Sequence, residues 1–143
     1  MKRHEPFLAE VRSVYAELAQ RPVQRNCLRR TECCQFQLTG KIPQLTRGEA
    51  LLAAQTFRAT GRKTLPQRPD GACPMLQADT GKCLIYAARP FGCRTHFCQM
   101  AGGPLGRHEV LPLIRRLEKI DGELGGDGPH PLPQSVAQAL DEF

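Results

Sequence analysis

The chain contains no tryptophan, and phenylalanine and tyrosine together make up only 6% of its 143 residues. Aromatic side chains dominate core energetics where they are plentiful. A chain this size without them must build a thin aliphatic core and gains from a staple. No apolar run approaches the roughly 20 residues that a membrane-spanning helix needs. The segment Met1-Lys2-Arg3-His4-Glu5-Pro6 is polar and is followed by charges every few residues, so no signal-peptide pattern is visible. These absences lead to the expectation of a cytoplasmic protein with no membrane association. Also missing are a glycine-rich phosphate loop, a Ser-His-Asp set and paired carboxylates. Asp70 and Asp79 read as turn residues. No catalytic residue is assigned, and a non-enzymatic role is favoured.

What the chain does have is cysteine, seven of them. An odd number cannot pair fully into internal disulfides. In the reducing cytosol a dense cysteine set reads as metal-binding or redox-active.

The net charge of +6 is unevenly spread. Residues 1–68 hold 13 Lys and Arg against 5 Asp and Glu, whereas residues 69–143 hold 7 against 9. A basic half can serve a nucleic acid or an acidic partner. Here no aromatic residues interleave the basic ones, as single-strand binding requires. The basic half therefore reads as solvated surface, and nucleic acid is not an expected partner.

Residues 5–20 have the spacing of an amphipathic helix, with Phe7, Val11, Val14, Tyr15 and Leu18 on one side. Pro22 closes it, and a basic stretch from Arg21 to Arg30 follows. A second helix starts at Thr46, where Thr46-Arg47-Gly48-Glu49 fits a capping box, and runs to about Thr60. Gly61 to Gly71 reads as a polar loop, and Leu84-Ile85-Tyr86 as a helical turn or an edge strand. Met100 to Gly106 carries three glycines and a proline and reads as a flexible connection. A third helix spans about Arg107 to Leu124 with a stripe of Val110, Leu111, Ile114, Leu117 and Ile120. Residues 125–133 read as a Gly/Pro linker, and Gln134 to Phe143 as a short terminal helix. The expected fold is mostly α: one small domain, 1–143, of about four helices, with two cysteine-bearing loop regions closed around a metal centre. Residues 27–98 form its cysteine-cluster core.

The cysteines fall in two groups, Cys27 with Cys33 and Cys34, then Cys73, Cys83, Cys93 and Cys98. A capped helix separates the groups, so a shared site requires the chain to fold back on itself, as in structural zinc sites. Iron–sulfur centres use four thiolates in the same way. Thiolates are soft donors that select zinc, Cu(I) or iron–sulfur over hard cations. Arg29, Arg30, Arg89 and Arg94 flank ligand candidates and would offset buried thiolate charge. His96 lies between Cys93 and Cys98, making eight potential ligands, enough for two zinc ions. One centre is the favoured reading. His4, His108 and His130 show no evident role.

The second group reads Cys73-Pro74-Met75-Leu76, then a Gly81-containing turn, then Cys83-Leu84-Ile85-Tyr86-Ala87-Ala88-Arg89-Pro90-Phe91-Gly92-Cys93-Arg94. It closely resembles the second half of the YkgJ-type cysteine-cluster family, a zinc- or iron-chelating domain with a CxxCxxCC motif. The resemblance covers about residues 27–98. The first half departs from the pattern, because Arg30 stands where the motif has a cysteine. The resemblance implies Cys33, Cys34, Cys83 and Cys93 as the leading ligands. Cys27, Cys73 and Cys98 come next and His96 last. Arg89 and Tyr86 are candidates for support beside the ligands, Arg89 as a donor to a ligand sulfur, while simple packing in the motif loop is the favoured reading for Tyr86 and Pro90.

Three roles are compatible with such a site. A structural metal would hold a small helical domain that binds a protein partner. An iron–sulfur centre would give a redox protein, or a component of a protein-modifying system; the resemblance extends to a cysteine motif in a flagellin lysine methylase. An exchangeable metal would suit delivery or sensing. Ligand identity does not separate zinc from a [4Fe–4S] cluster; zinc is favoured because closed cysteine-rich sites in small cytosolic domains are commonly zinc sites.

Overall fold

The structure, a computed structural model, describes residues 2–20, 42–66, 68, 71–77, 80, 82–95 and 107–143. Among these, five α-helices and a two-stranded sheet are present: α1 (Glu5–Ala19), β1 (Gln44–Leu45), α2 (Arg47–Ala59), α3 (Phe91–Thr95), α4 (Arg107–Glu123), β2 (His130–Pro131) and α5 (Leu132–Leu140). The mostly helical expectation holds, with one helix more than expected. The basic stretch at 21–30 and the connection at 100–106 lie outside the described residues.

α2 is the central element, packing against α1, α4 and α5. Its residues Leu51, Ala53, Ala54 and Phe57 are fully buried, so nearly its whole circumference is covered. That explains its alanine content, because small side chains let several helices approach one axis. Gly48 marks the tightest point. A Cβ there would lie 2.9 Å from methyl groups of both Val11 in α1 and Ile120 in α4. The predicted capping box forms, with Glu49 reaching back to Thr46. The helix stops at Gly61, whose φ of +90° suits glycine and whose N–H donates to the Arg58 carbonyl at 2.9 Å.

α1 buries Leu8, Val11, Val14, Tyr15 and Leu18. Leu8, absent from the predicted stripe, is fully buried, while Phe7 is only partly so. The reason is the width of a core-facing stripe, which takes adjacent positions on the helix. The same holds in α4. Leu113 is buried beside Val110, Leu117 and Ile120, and Leu111 takes a half-buried place.

Two features were not anticipated. β1 and β2 pair antiparallel with Gln44 opposite Pro131 and Leu45 opposite His130, and the Leu132 N–H donates to the Pro43 carbonyl at 2.9 Å. Residues 130–131 of the Gly/Pro segment are thus fastened across the chain to the entry of α2. α5 begins at Leu132 rather than Gln134, with Pro133 in its first turn, where a missing N–H costs nothing. Leu132, Val136 and Ala139 of α5 are buried in the common core.

Asp121 of α4 ties these parts together. It is 4% exposed. Its carboxylate accepts the N–H of Arg47, the first residue of α2, at 2.7 Å and that of Gly128 at 3.0 Å. A negative group at a helix start is favourable in charge and satisfies a donor that the helix cannot. On the surface, Arg116 of α4 pairs with Glu10 and Glu17 of α1.

Candidate metal centre

Three of the seven cysteines, Cys73, Cys83 and Cys93, fall in the described residues, and all three stand as thiols. Cys27, Cys33, Cys34, Cys98 and His96, with Arg29 and Arg30, lie outside the described residues. Among the described residues no three His, Cys, Asp or Glu side chains converge into a set that could hold a metal ion.

Cys73 and Cys83 belong to one small hairpin. Cys73-Pro74-Met75-Leu76 makes a tight turn, closed by the Leu76 N–H on the Cys73 carbonyl at 3.0 Å. Leu76 then bridges antiparallel to Cys83. The Gln77 N–H donates to the Lys82 carbonyl at 2.9 Å and the Leu84 N–H to the Met75 carbonyl at 2.8 Å. Arg68 clamps the turn from outside, its Nη1 donating to the carbonyls of Cys73 and Leu76. Fully buried Met75 and Ile85 anchor both arms of the hairpin in the core.

The Cys73 side chain is buried, and that burial pushes its thiol up to about 11. The neighbouring Cys83 pushes the same way. Three influences oppose this: the backbone N–H groups of Met75 and Leu76, which hydrogen-bond toward the sulfur, and the Arg68 guanidinium. These donors and the cation offset burial only in part, so the raised value stands.

Cys93 sits in α3 rather than in a loop. Pro90, fully buried, starts this helical turn, and its carbonyl accepts the N–H of Cys93 at 3.0 Å and of Arg94 at 3.1 Å. Proline is suited to this place because its fixed φ matches the start of a helix. Leu84 and Ile85 lie in a turn leading to a single 3-10 turn at Tyr86–Ala88, so this stretch is helical rather than an edge strand. Gly92 passes close to Pro43 beside β1, where a Cβ would be in ordinary contact at 3.5 Å.

Arg94 holds the loop before α3 in shape. Its Nε donates to the Arg89 carbonyl at 2.7 Å and its Nη2 to the Ala87 carbonyl at 2.9 Å. The same guanidinium lies over the Tyr15 ring of α1, 4.1 Å from its centroid. Arg89 takes a different position. Its guanidinium stacks on Tyr86 at 3.9 Å, and its Nε donates to the Tyr86 carbonyl at 3.1 Å. Tyr86 itself is 46% exposed.

Glu49 completes the support. It is 3% exposed, and one carboxylate oxygen accepts the Tyr15 hydroxyl at 3.0 Å and the Phe91 N–H at 2.7 Å. The other faces the Thr46 hydroxyl at 3.0 Å. Burial raises the Glu49 pKa, while the donors from Phe91, Thr46 and Tyr15 hold it back. Burial and the facing Glu49 charge likewise raise Tyr15 well above its ordinary value. Sequence reasoning read Glu49 as a helix cap and Tyr15 as part of an apolar stripe. Neither has a local signal of its link to the Cys93 turn, since both contacts join distant segments.

The donor chemistry of the described candidates fits a soft metal: all three are thiols, one of them buried against amides and a guanidinium. The comparison with protein families agrees. The model of the CxxCxxCC family, described as "Putative zinc- or iron-chelating domain", matches residues 25–110. No curated protein and no solved structure gives a match.

Proposed function

The chain belongs to the CxxCxxCC family of zinc- or iron-chelating domains, and from that premise we propose that it is a metal-binding protein whose metal is structural. Residues 27–98 form the metal-binding core of a single domain, 1–143. In this reading Cys33, Cys34, Cys83 and Cys93 are the leading ligands, joined by Cys27, Cys73 and Cys98, with His96 last. The metal is zinc, which supplies a closed tetrahedral cross-link and no redox chemistry. The observation that carries the reading is the Cys73 turn. Its buried sulfur is faced by the Met75 and Leu76 amides and by Arg68, with Cys83 beside it, and a bound cation would favour its thiolate form.

The chain's own residues divide the work. Arg68 and the Leu76–Cys83 bridge fix the hairpin that bears two candidate sulfurs. Arg94 and Glu49 fix the helical turn that bears the third. Between these two rigid pieces the metal joins parts that the core secures separately, so binding energy becomes folding energy.

Metal analysis with a visible spectrum, on protein purified without oxygen, tests this. Stoichiometric zinc and no colour is the expected result. Iron with acid-labile sulfide and a visible band would replace zinc by an iron–sulfur cluster. Substoichiometric metal of any kind would overturn the metal-binding reading.

A further inference from the structure

Cys93 lies on a helix of one turn and a half, too short to hold its own shape, since an isolated helix of this length is unstable in water. Something outside it must fix its position. The Phe91 N–H is the first donor of that turn and has no partner within it. It finds one 42 residues earlier in the chain, in the Glu49 carboxylate at 2.7 Å. The carboxylate is itself immobilised. Thr46 holds it from the helix side as part of a capping box, and the Tyr15 hydroxyl holds it from α1. The Tyr15 ring in turn carries Arg94, the residue after Cys93. Cys93 is thus bracketed by two contacts that converge on one pair, Glu49 and Tyr15, both buried in the helical core.

We infer that Glu49 is the positioning residue for Cys93: its buried carboxylate anchors the Phe91 amide and so presents the Cys93 thiol to the metal before the metal arrives. This rests on reading Cys93 as a ligand. A half-site set in advance by the core lowers the ordering cost of binding, because less freedom is lost when the ion arrives. The hydrogen bonds of Glu49 go to Thr46, Tyr15 and Phe91, so its hold on Cys93 passes through the backbone of 91–93. A glutamine at 49 keeps one carbonyl oxygen, enough for Phe91 and Tyr15, and its amide can donate to the Thr46 hydroxyl, so only the Thr46 N–H loses its acceptor. Alanine retains neither.

The test uses the full chain as purified. Hydrogen exchange is measured on the unaltered protein and on Glu49→Ala, Glu49→Gln, Tyr15→Phe and Leu117→Ala. The last is a core truncation in α4. Co²⁺ titration is run on the same set with and without Cys93→Ser. Exchange at 91–95 should accelerate in Glu49→Ala relative to α4 amides, less so in Tyr15→Phe, and return toward normal in Glu49→Gln. Co²⁺ affinity in Glu49→Ala should fall about tenfold or more, in the range seen when a ligand's support is removed. That loss should vanish in the Cys93→Ser background, while any loss from Leu117→Ala should add to it. If Glu49→Ala is too unstable to study, Tyr15→Phe carries the same comparison. Uniform acceleration along the chain, or a loss of affinity that adds fully to that of Cys93→Ser, would overturn the positioning role. If the unaltered protein takes up no Co²⁺, the metal reading falls by itself, since the exchange comparison still decides whether Glu49 holds the turn.

Discussion

The Asp121 carboxylate in α4 accepts the backbone N–H of Arg47, 74 residues earlier, at 2.7 Å. With Gly128 on its other oxygen, it joins the start of α2, the body of α4 and the segment leading to β2. Asp121→Ala leaves two half-buried backbone donors without their acceptor. The expected loss is about 1–3 kcal/mol, measured by urea denaturation. Asp121→Asn, which keeps one acceptor oxygen, should lose less.

Gly48 has no room for a side chain between Val11 and Ile120. Gly48→Ala improves helix propensity but must push two fully packed methyl groups apart. Overpacking is expected to win, giving a net loss of about 1–3 kcal/mol in chemical denaturation. An unchanged midpoint would show that α1 or α4 shifts without cost.

The raised pKa of Glu49 has a definite sign in stability. A carboxyl whose folded value lies above its unfolded one contributes fully below the ordinary value of 4.5, and that contribution is lost as pH rises through the folded value. Among its ionisable neighbours, Tyr15 and Arg94 are charge-constant across pH 5–8, and the Cys93 thiol beside them is common to both proteins compared. Melting temperatures are compared at pH 5 and pH 8 in the unaltered protein and in Glu49→Gln. The fall between them should be larger in the unaltered protein than in Glu49→Gln, which has no proton to lose. Equal slopes would contradict the assigned direction.

Metal removal should be the most severe perturbation. If the metal cross-links the Cys73–Cys83 hairpin and the Cys93 turn to the other cysteines, full chelation abolishes the cooperative melting transition. Apparent binding energies of structural zinc, about 10–16 kcal/mol, reach or exceed the usual stability of a small domain. Cys93→Ser should lower both metal content and melting temperature. A transition preserved after complete metal removal would contradict a structural role.

The helices were largely legible in the sequence, because each signals itself over a short span. Apolar positions recur at helical spacing in α1 and α4, and Thr46 with Glu49 announces the start of α2. The cysteine motif was equally legible, and the family match over residues 25–110 agrees with it. The α3 turn was missed because five residues are too few to show a period. β1 and β2 were missed because each is two residues long and pairs with a segment far away in the chain.

The role of Glu49 shows the same division. As the third residue of a helix after a capping threonine, it was determined locally, since a capping box involves only residues 46 to 49. That its second oxygen holds Tyr15 and Phe91 was decided by tertiary structure alone. The sequence by itself determined which residues carry soft donor atoms and where most helices begin and end, because both depend on residue type and on neighbours within a turn or two. Only the folded chain decided that Cys93 rides on a helical turn, that Arg94 stacks on Tyr15, and that a buried carboxylate anchors that turn. Those facts depend on which distant surfaces pack together, and no local pattern encodes that choice.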